Sequence, residues 1–145
     1  MFDLSCDIDV HAGSMSASGE RAVAGVTSGR IGPGQQVTWR ARHFGIVWRM
    51  TSVISAHQRP HHFVDEMVRG PFARWRHEHR FEPDGTGGTR MLDLVDYAAP
   101  AGPIGRLVDG LVLRRHLRRL LERRNGHIKE LAEGSWPARP PPSPG

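Results

Sequence analysis

VTWRARHFGIVWRMTSVISA, Val37 to Ala56, decides the fold. Thr38, Arg40 and Arg42 alternate with Val37, Trp39, Ala41 and His43, the period-two pattern of a strand with one buried face. Phe44-Gly45 interrupts it, and Arg49, Thr51 and Ser55 then alternate with Trp48, Met50 and Ile54. A two-residue turn at Phe44-Gly45 pairs His43 with Ile46, Ala41 with Trp48 and Trp39 with Met50, which places both apolar sets on one side. Turn chemistry and hydrophobic pattern point to the same hairpin independently.

Toward the N-terminus, ERAVAGVTSGRIGPGQQ predicts a strand over 21–27 and a turn at Gly32–Gly34. Residues 2–18, with Phe2, Leu4, Ile8 and Val10 among polar and small residues, predict one or two short helices capped by Asp3 or Ser5. Toward the C-terminus, a turn at Gln58-Arg59-Pro60 precedes HFVDEMVR, a strand over 62–69 whose buried face the pattern leaves open. WRHEHRF, Trp75 to Phe81, follows, with Trp75, His77, His79 and Phe81 on one side and Arg74, Arg76, Glu78 and Arg80 on the other. EPDGTGG is a turn, and TRMLDLVDY returns as a sixth strand. If Phe81 and Thr89 flank that turn symmetrically, His79 lies opposite Met91, His77 opposite Asp93 and Trp75 opposite Val95. Directly opposed side chains sit about 5 Å apart at Cβ, within reach of an imidazole–carboxylate hydrogen bond.

A turn at Pro100-Ala101-Gly102-Pro103 leads into a long helix. Leu113, Leu117, Leu120, Leu121, Ile128 and Leu131 form one apolar stripe at helical spacing, whereas Ile104, Val108 and Leu111 are rotated away, so a bend near Gly110 or a separate short helix is expected. Residues 103–131 carry eight basic against three acidic residues, and the rest of the chain balances twelve against twelve, so this segment accounts for the whole net charge of +5. A solvated helix face is the simplest account; an interaction surface on the arginines of residues 114–124 is the alternative. The domain is expected over 1–133, with 134–145, GSWPARPPPSPG, a disordered Pro-rich tail.

Cys6 is the one cysteine in the chain, which excludes an intramolecular disulfide and a cysteine-based zinc framework and fits a reducing, cytoplasmic setting. No basic leader with an apolar run opens the sequence, and nowhere do 18 apolar residues follow one another, so neither a signal peptide nor a transmembrane segment is read. A metal site needs three or four convergent ligands. His77 and His79 supply two, His43 lies toward the far part of the sheet, and His61 and His62 point apart in a loop, so no metal and no other cofactor is expected. Cys6 has no histidine nearby in sequence, GxSxG, HExxH and phosphate-loop motifs are absent, and DGTGG is a hairpin turn.

The order of short helices, about six antiparallel strands and a long amphipathic helix, carried by FDLS, GERAVAG, VTWRARHFG, FVDEMVRGPF, WRHEHRF and RLVDGLVLRRHLRRLLERRN, resembles the SRPBCC (START, pollen-allergen and polyketide cyclase/dehydratase) superfamily. It is most similar to its small bacterial ligand-binding, cyclase/dehydrase members. The resemblance implies an α+β helix-grip fold, a curved antiparallel sheet wrapped around the C-terminal helix over an apolar cavity. Such proteins begin with an apolar strand ahead of the helix that here starts near Phe2, and this chain lacks residues for it. Met91–Tyr97 should then be an exposed sheet edge, open to a homodimer.

The resulting expectation is a protein that binds a hydrophobic, aromatic or polyketide-like small molecule. Trp39, Trp48, Met50, Trp75, His79, Phe81, Met91 and Tyr97 would line the cavity, with His77 and Asp93 among them. The enzymatic alternative is an aromatase/cyclase or dehydratase in which His77 is the acid–base and Asp93 orients it. A satisfied polar network is the plainer role for the same residues. No specific nucleic-acid partner is expected.

Overall fold

The computed structural model describes residues 1–99 and 112–135. Helices α1 (Phe2–Ser5) and α2 (Ile8–Ser14) and a single tight turn at Ser16–Ser18 precede six strands: β1 (Arg21–Gly25), β2 (Gln36–His43), β3 (Ile46–Gln58), β4 (His62–Arg69), β5 (Arg74–Pro83) and β6 (Thr89–Ala98). All pair antiparallel in sequence order within one sheet, and helix α3 (Arg114–Glu130) follows. This is the α+β helix-grip architecture. Among the described residues β6 is an edge strand.

The expected turn at 100–103, the bend near Gly110 and the tail from 136 lie outside the described residues. The chain continues from the helix as Leu131–Ser135, within which Gly134 leaves helical geometry at φ 167°.

The β2–β3 hairpin has the expected register, His43 against Ile46, Ala41 against Trp48 and Trp39 against Met50. Phe44 and Gly45 both have positive φ, 53° and 74°, the backbone that lets a two-residue turn follow the twist of the strands. At the other end of β3 the pairing with β4 shifts between Ile54 and Ala56. The extra residue reverses the strand's parity, so His57 turns inward and meets the Phe2 ring edge-on at 5.2 Å.

The β5–β6 hairpin departs from the symmetric register. Pro83 pairs with Thr89, Phe81 with Met91, His79 with Asp93, His77 with Val95 and Trp75 with Tyr97. Asp84 causes this difference: its Oδ1 accepts from the Thr86 and Gly88 backbone N–H groups at 2.8 and 2.9 Å and from the Thr86 hydroxyl at 2.9 Å. The turn therefore closes within residues 84–88, and the pairing of β5 with β6 slides by two residues. A shift of two preserves parity, so the inward faces stay as read.

Neither Asp3 nor Ser5 caps a helix. Asp7 caps α2, its Oδ1 accepting from Asp9 N at 2.9 Å and Val10 N at 3.2 Å. Asp3 instead pairs with Arg59 at 2.8 Å and Arg30 at 3.3 Å, and the Arg59 hydrogen bond holds its carboxyl down at about 2. We expect Asp7→Ala to cost about 1 kcal/mol in a urea melt, the usual worth of such a cap. An unchanged midpoint would mean that packing alone holds α2.

Between the sheet and the N-terminal helices lies an apolar core of Phe2, Ile8, Val37, Ile54, Phe63 and Phe81 with their neighbours. Phe2 meets Phe63 and Phe81 edge-on at 5.6 and 5.2 Å. Burial of each such ring contributes about 1.5–3 kcal/mol. The α3 stripe packs against α2, with Ile128 buried and Leu117, Leu120, Leu121 and Leu131 half-buried. Arg114, Arg115, Arg118, Arg119 and Arg123 are exposed, as a solvated face requires. Arg124 is the correction to that face: it stands on the apolar stripe and is only 3% exposed. Arg49 and Arg74 face solvent, and Arg40 is half-buried.

Candidate functional site

His77 and His79 follow one another on the inner side of β5, buried, with ring centroids 3.8 Å apart. Parity places them there, because Trp75 and Phe81 share their face. Phe63 of β4 stacks on His79 at 4.1 Å. Two carboxylates enclose the imidazoles. Asp93 of β6 lies with Oδ1 3.0 Å from His77 Nε2 and 2.7 Å from His79 Nδ1. The first is a hydrogen bond; the second is close but poorly aligned, which leaves His79 Nδ1 buried without a well-directed partner. Asp65 of β4 lies on the opposite side, its Oδ2 3.7 Å from both His77 Nδ1 and His79 Nε2.

Helix α3 completes the cluster. Asn125 Nδ2 donates to Asp93 Oδ2 at 2.5 Å, and Arg124 Nη1 stands 3.8 Å from Asp93 Oδ1. Arg124 Nη2 also donates to the Ser5 carbonyl of α1 at 3.4 Å. One buried cation thus ties α1, α3 and β6 together.

Burial drives the His77 pKa down to about 4, aided by neighbouring His79 and opposed by the Asp93 hydrogen bond. His77 is therefore neutral at pH 7. Burial favours the neutral form of Asp93 as well, yet its contacts with His77, His79 and Arg124 outweigh that cost and hold the carboxyl far below the usual range. Asp65 behaves likewise, with burial overcome by His79 and His77. Burial also pulls the Arg124 guanidinium down, with Asp93 and Asp65 opposing. Cys6 has its thiol raised to about 12 by burial and by Asp3, which leaves it protonated and unreactive.

Above the cluster is a cavity of about 50 Å³, lined by Ser5 to Ile8 and His11 from the N-terminal helices, Ile31, inward residues of β2 to β5, and Arg124. Of the residues expected to line a cavity, Trp39, His77 and His79 do so. Asp93 sits behind the imidazoles. Phe81 and Met91 lie under α1, where Phe81 meets Phe2 and Met91 Sδ receives the Ser5 hydroxyl at 3.5 Å. Trp75 and Tyr97 gather with Phe72 on the flank of the cluster, Trp75 5.1 Å from Phe72, 6.3 Å from Tyr97 and edge-on to His77 at 6.2 Å. Trp48 is at the tip of the β2–β3 hairpin, 36% exposed, with Nε1 donating to the His43 carbonyl at 3.3 Å. Met50 is half-buried on the inner face near Met67 and Gly70. Parity assigned all of these to one face correctly, but one face of a long curved sheet serves several separate clusters.

Three residues of the site escaped the sequence reading, Asp65, Arg124 and Asn125. The first two left a signal. Asp65 is two residues from Phe63, so a buried Phe63 carries it inward. Arg124 is the one charged residue among Leu117, Leu120, Leu121 and Ile128 at spacings of three, four and seven.

The sequence matches the family described as polyketide cyclase / dehydrase and lipid transport over residues 14–133. The chain belongs to that family. None of the curated proteins matches it in sequence. Solved structures share this fold, among them the following two. TTHA0849 from Thermus thermophilus superposes with a TM-score of 0.68 at 20% identity, covering 92% of this chain and 89% of its own. Ginseng major latex-like protein 151 from Panax ginseng superposes with a TM-score of 0.55 at 13% identity, covering 86% of this chain and 80% of its own. At these identities the likeness concerns the fold alone. No helix among the described residues is long and apolar enough to cross a membrane.

Proposed function

We propose that this family member binds a small hydrophobic molecule bearing one polar group, with the polar group against His77 and His79. The observation that carries the reading is the contrast within the cavity: Ile8, Ile31, Val37, Trp39, Ile54 and Phe63 form apolar walls beside a polar patch of Asp65, His77, His79 and Arg124, with Ser5, Asp7, His11 and Ser52 completing the lining. Few, well-placed polar groups in an apolar pocket orient a ligand. Volume sets a condition. A cavity of about 50 Å³ takes a polar head but not a fused aromatic ring system, since pockets for such ligands span roughly 300–1,000 Å³. Uptake therefore requires the N-terminal helices or α3 to move away from the sheet.

Calorimetry with 2-naphthol and its isostere 2-methylnaphthalene tests this. The hydroxyl should bring about tenfold tighter binding, the worth of roughly one net hydrogen bond, and His77→Gln should erase most of that preference. Absence of saturable binding by either compound would sink the reading. Quenching of tryptophan fluorescence, with Trp39→Phe as control, locates the compound in this cavity.

Acid–base catalysis is the second reading, supported by the His77–Asp93 hydrogen bond, which fixes the imidazole for proton transfer as an aromatase/cyclase or dehydratase would use it. A base whose pKa lies near 4 has little driving force to remove a proton at neutral pH, and this ranks turnover below binding. In the same scheme, the position of β6 at the sheet edge among the described residues would offer a place for a second copy but is not needed for ligand binding.

A further inference from the structure

The geometry points to a divalent transition-metal site at Asp65, His77 and His79, with Asp93 as the outer partner that orients both imidazoles. One donor atom from each of the first three residues lies within 4.8 Å of the others. Asp65 Oδ2 is 3.7 Å from His77 Nδ1 and from His79 Nε2. A tetrahedral ion with bonds of about 2.0–2.1 Å sets its ligand atoms roughly 3.3 Å apart. Each of these two distances needs to close by only about 0.4 Å to meet that tetrahedral spacing.

Asp93 stands on the far side of both rings, its Oδ1 3.0 Å from His77 Nε2 and 2.7 Å from His79 Nδ1, so His77 Nδ1 and His79 Nε2 are the ring atoms turned toward Asp65. Histidines that bind metal ordinarily donate their other N–H to a carboxylate, and here one carboxylate is placed to serve both rings.

Asp93 is itself fixed for that task by Asn125 Nδ2 at 2.5 Å, with Arg124 at 3.8 Å balancing its charge. Two nitrogens and one oxygen suit zinc, cobalt(II) or iron(II) rather than calcium or magnesium. A fourth position would open on the cavity that Asp65, His77 and His79 all line. The inference does not depend on an organic ligand. When the ion is bound His77 is a ligand, and an acid–base role for it is confined to the metal-free protein.

The test uses untagged full-length protein, stripped with chelator and titrated with cobalt(II) and zinc(II). One equivalent of cobalt(II) should develop visible d–d absorption, zinc(II) should displace it, and calorimetry should give one site. Asp65→Asn, which keeps shape and removes charge, should weaken zinc binding at least about 100-fold, as loss of a direct ligand should exceed loss of an outer partner. Asp93→Asn should weaken it by about 10–100-fold while keeping one site, as expected for an outer partner. His61→Gln and His116→Gln, histidines away from the cluster, should change nothing. Absence of a one-equivalent cobalt(II) spectrum in the wild-type protein would overturn the inference whatever the variants do. Equal affinity in Asp65→Asn and wild type would overturn it as well, by moving the ion to another histidine.

Discussion

Replacing Asp93 by alanine should lower the unfolding free energy by about 3–5 kcal/mol, the usual cost of removing one partner from a buried ionic cluster. The Asp93 side chain is 6% exposed and Arg124 3%, so water does not take the place of the lost carboxylate. His77 loses its acceptor, Asn125 loses a bond of 2.5 Å, and Arg124 is left as a buried cation without its nearest counter-charge. Asp96 provides the control on the same strand. Its pair with Arg74, at 2.7 Å, is more than half exposed on both sides, and Asp96→Ala should leave the urea midpoint nearly unchanged. Urea denaturation of the two variants checks the contrast; equal losses would show that the Asp93 cluster adds nothing beyond a surface pair. Combining Asp93→Ala with Arg124→Met should recover part of the loss, because the stranded cation goes with the carboxylate.

The second large effect is acid lability of the metal-free protein between about pH 6.5 and 4. The folded-state pKa of His77 is about 4, whereas an unfolded histidine titrates near 6.5. Above about pH 6.5 neither state holds the proton, and the full stability is present. As the pH falls toward 4 the unfolded chain takes up the proton and the folded one does not, so stability declines by about 3 kcal/mol and stops declining on this account below about 4. Denaturation midpoints at several pH values in the presence of chelator measure the slope. His77→Gln should be flatter than wild type across this window, and parallel slopes would assign the acid sensitivity elsewhere. The depressed carboxyl of Asp93 acts in the same direction, but its loss begins below the ordinary aspartate pKa and so lies under this window.

Such a cluster stabilises the fold only when complete. It joins β4, β5, β6 and α3, and through Arg124 also α1. An entering molecule that separates α1 or α3 from the sheet must therefore loosen the same contacts that orient the imidazoles. On the proposed reading, ligand entry and the integrity of the site would be coupled by one guanidinium.

What the sequence determined by itself was local and periodic. Alternation of Val37, Trp39, Ala41 and His43 with polar residues placed the face of β2, and the Phe44-Gly45 turn left no slack in its pairing with β3. The same parity sent His77 and His79 inward beside Trp75 and Phe81, and the leucine spacing defined the stripe of α3. These features repeat every two residues or every three to four, so a side chain's face follows from its neighbours in the chain. Tertiary structure decided everything that depends on distances between elements. Asp84 reset the last turn and set His79, where the symmetric register had placed His77, directly opposite Asp93. The bulge at Ile54–Ala56 turned His57 inward, and the docking of α3 converted Arg124 from a surface charge into the counter-ion of Asp93. How closely α1 and α3 settle on the sheet left about 50 Å³ where aromatic parity alone suggested a larger pocket. Periodicity specifies which way a side chain points; what it meets there depends on packing between segments up to 119 residues apart, as for Ser5 and Arg124.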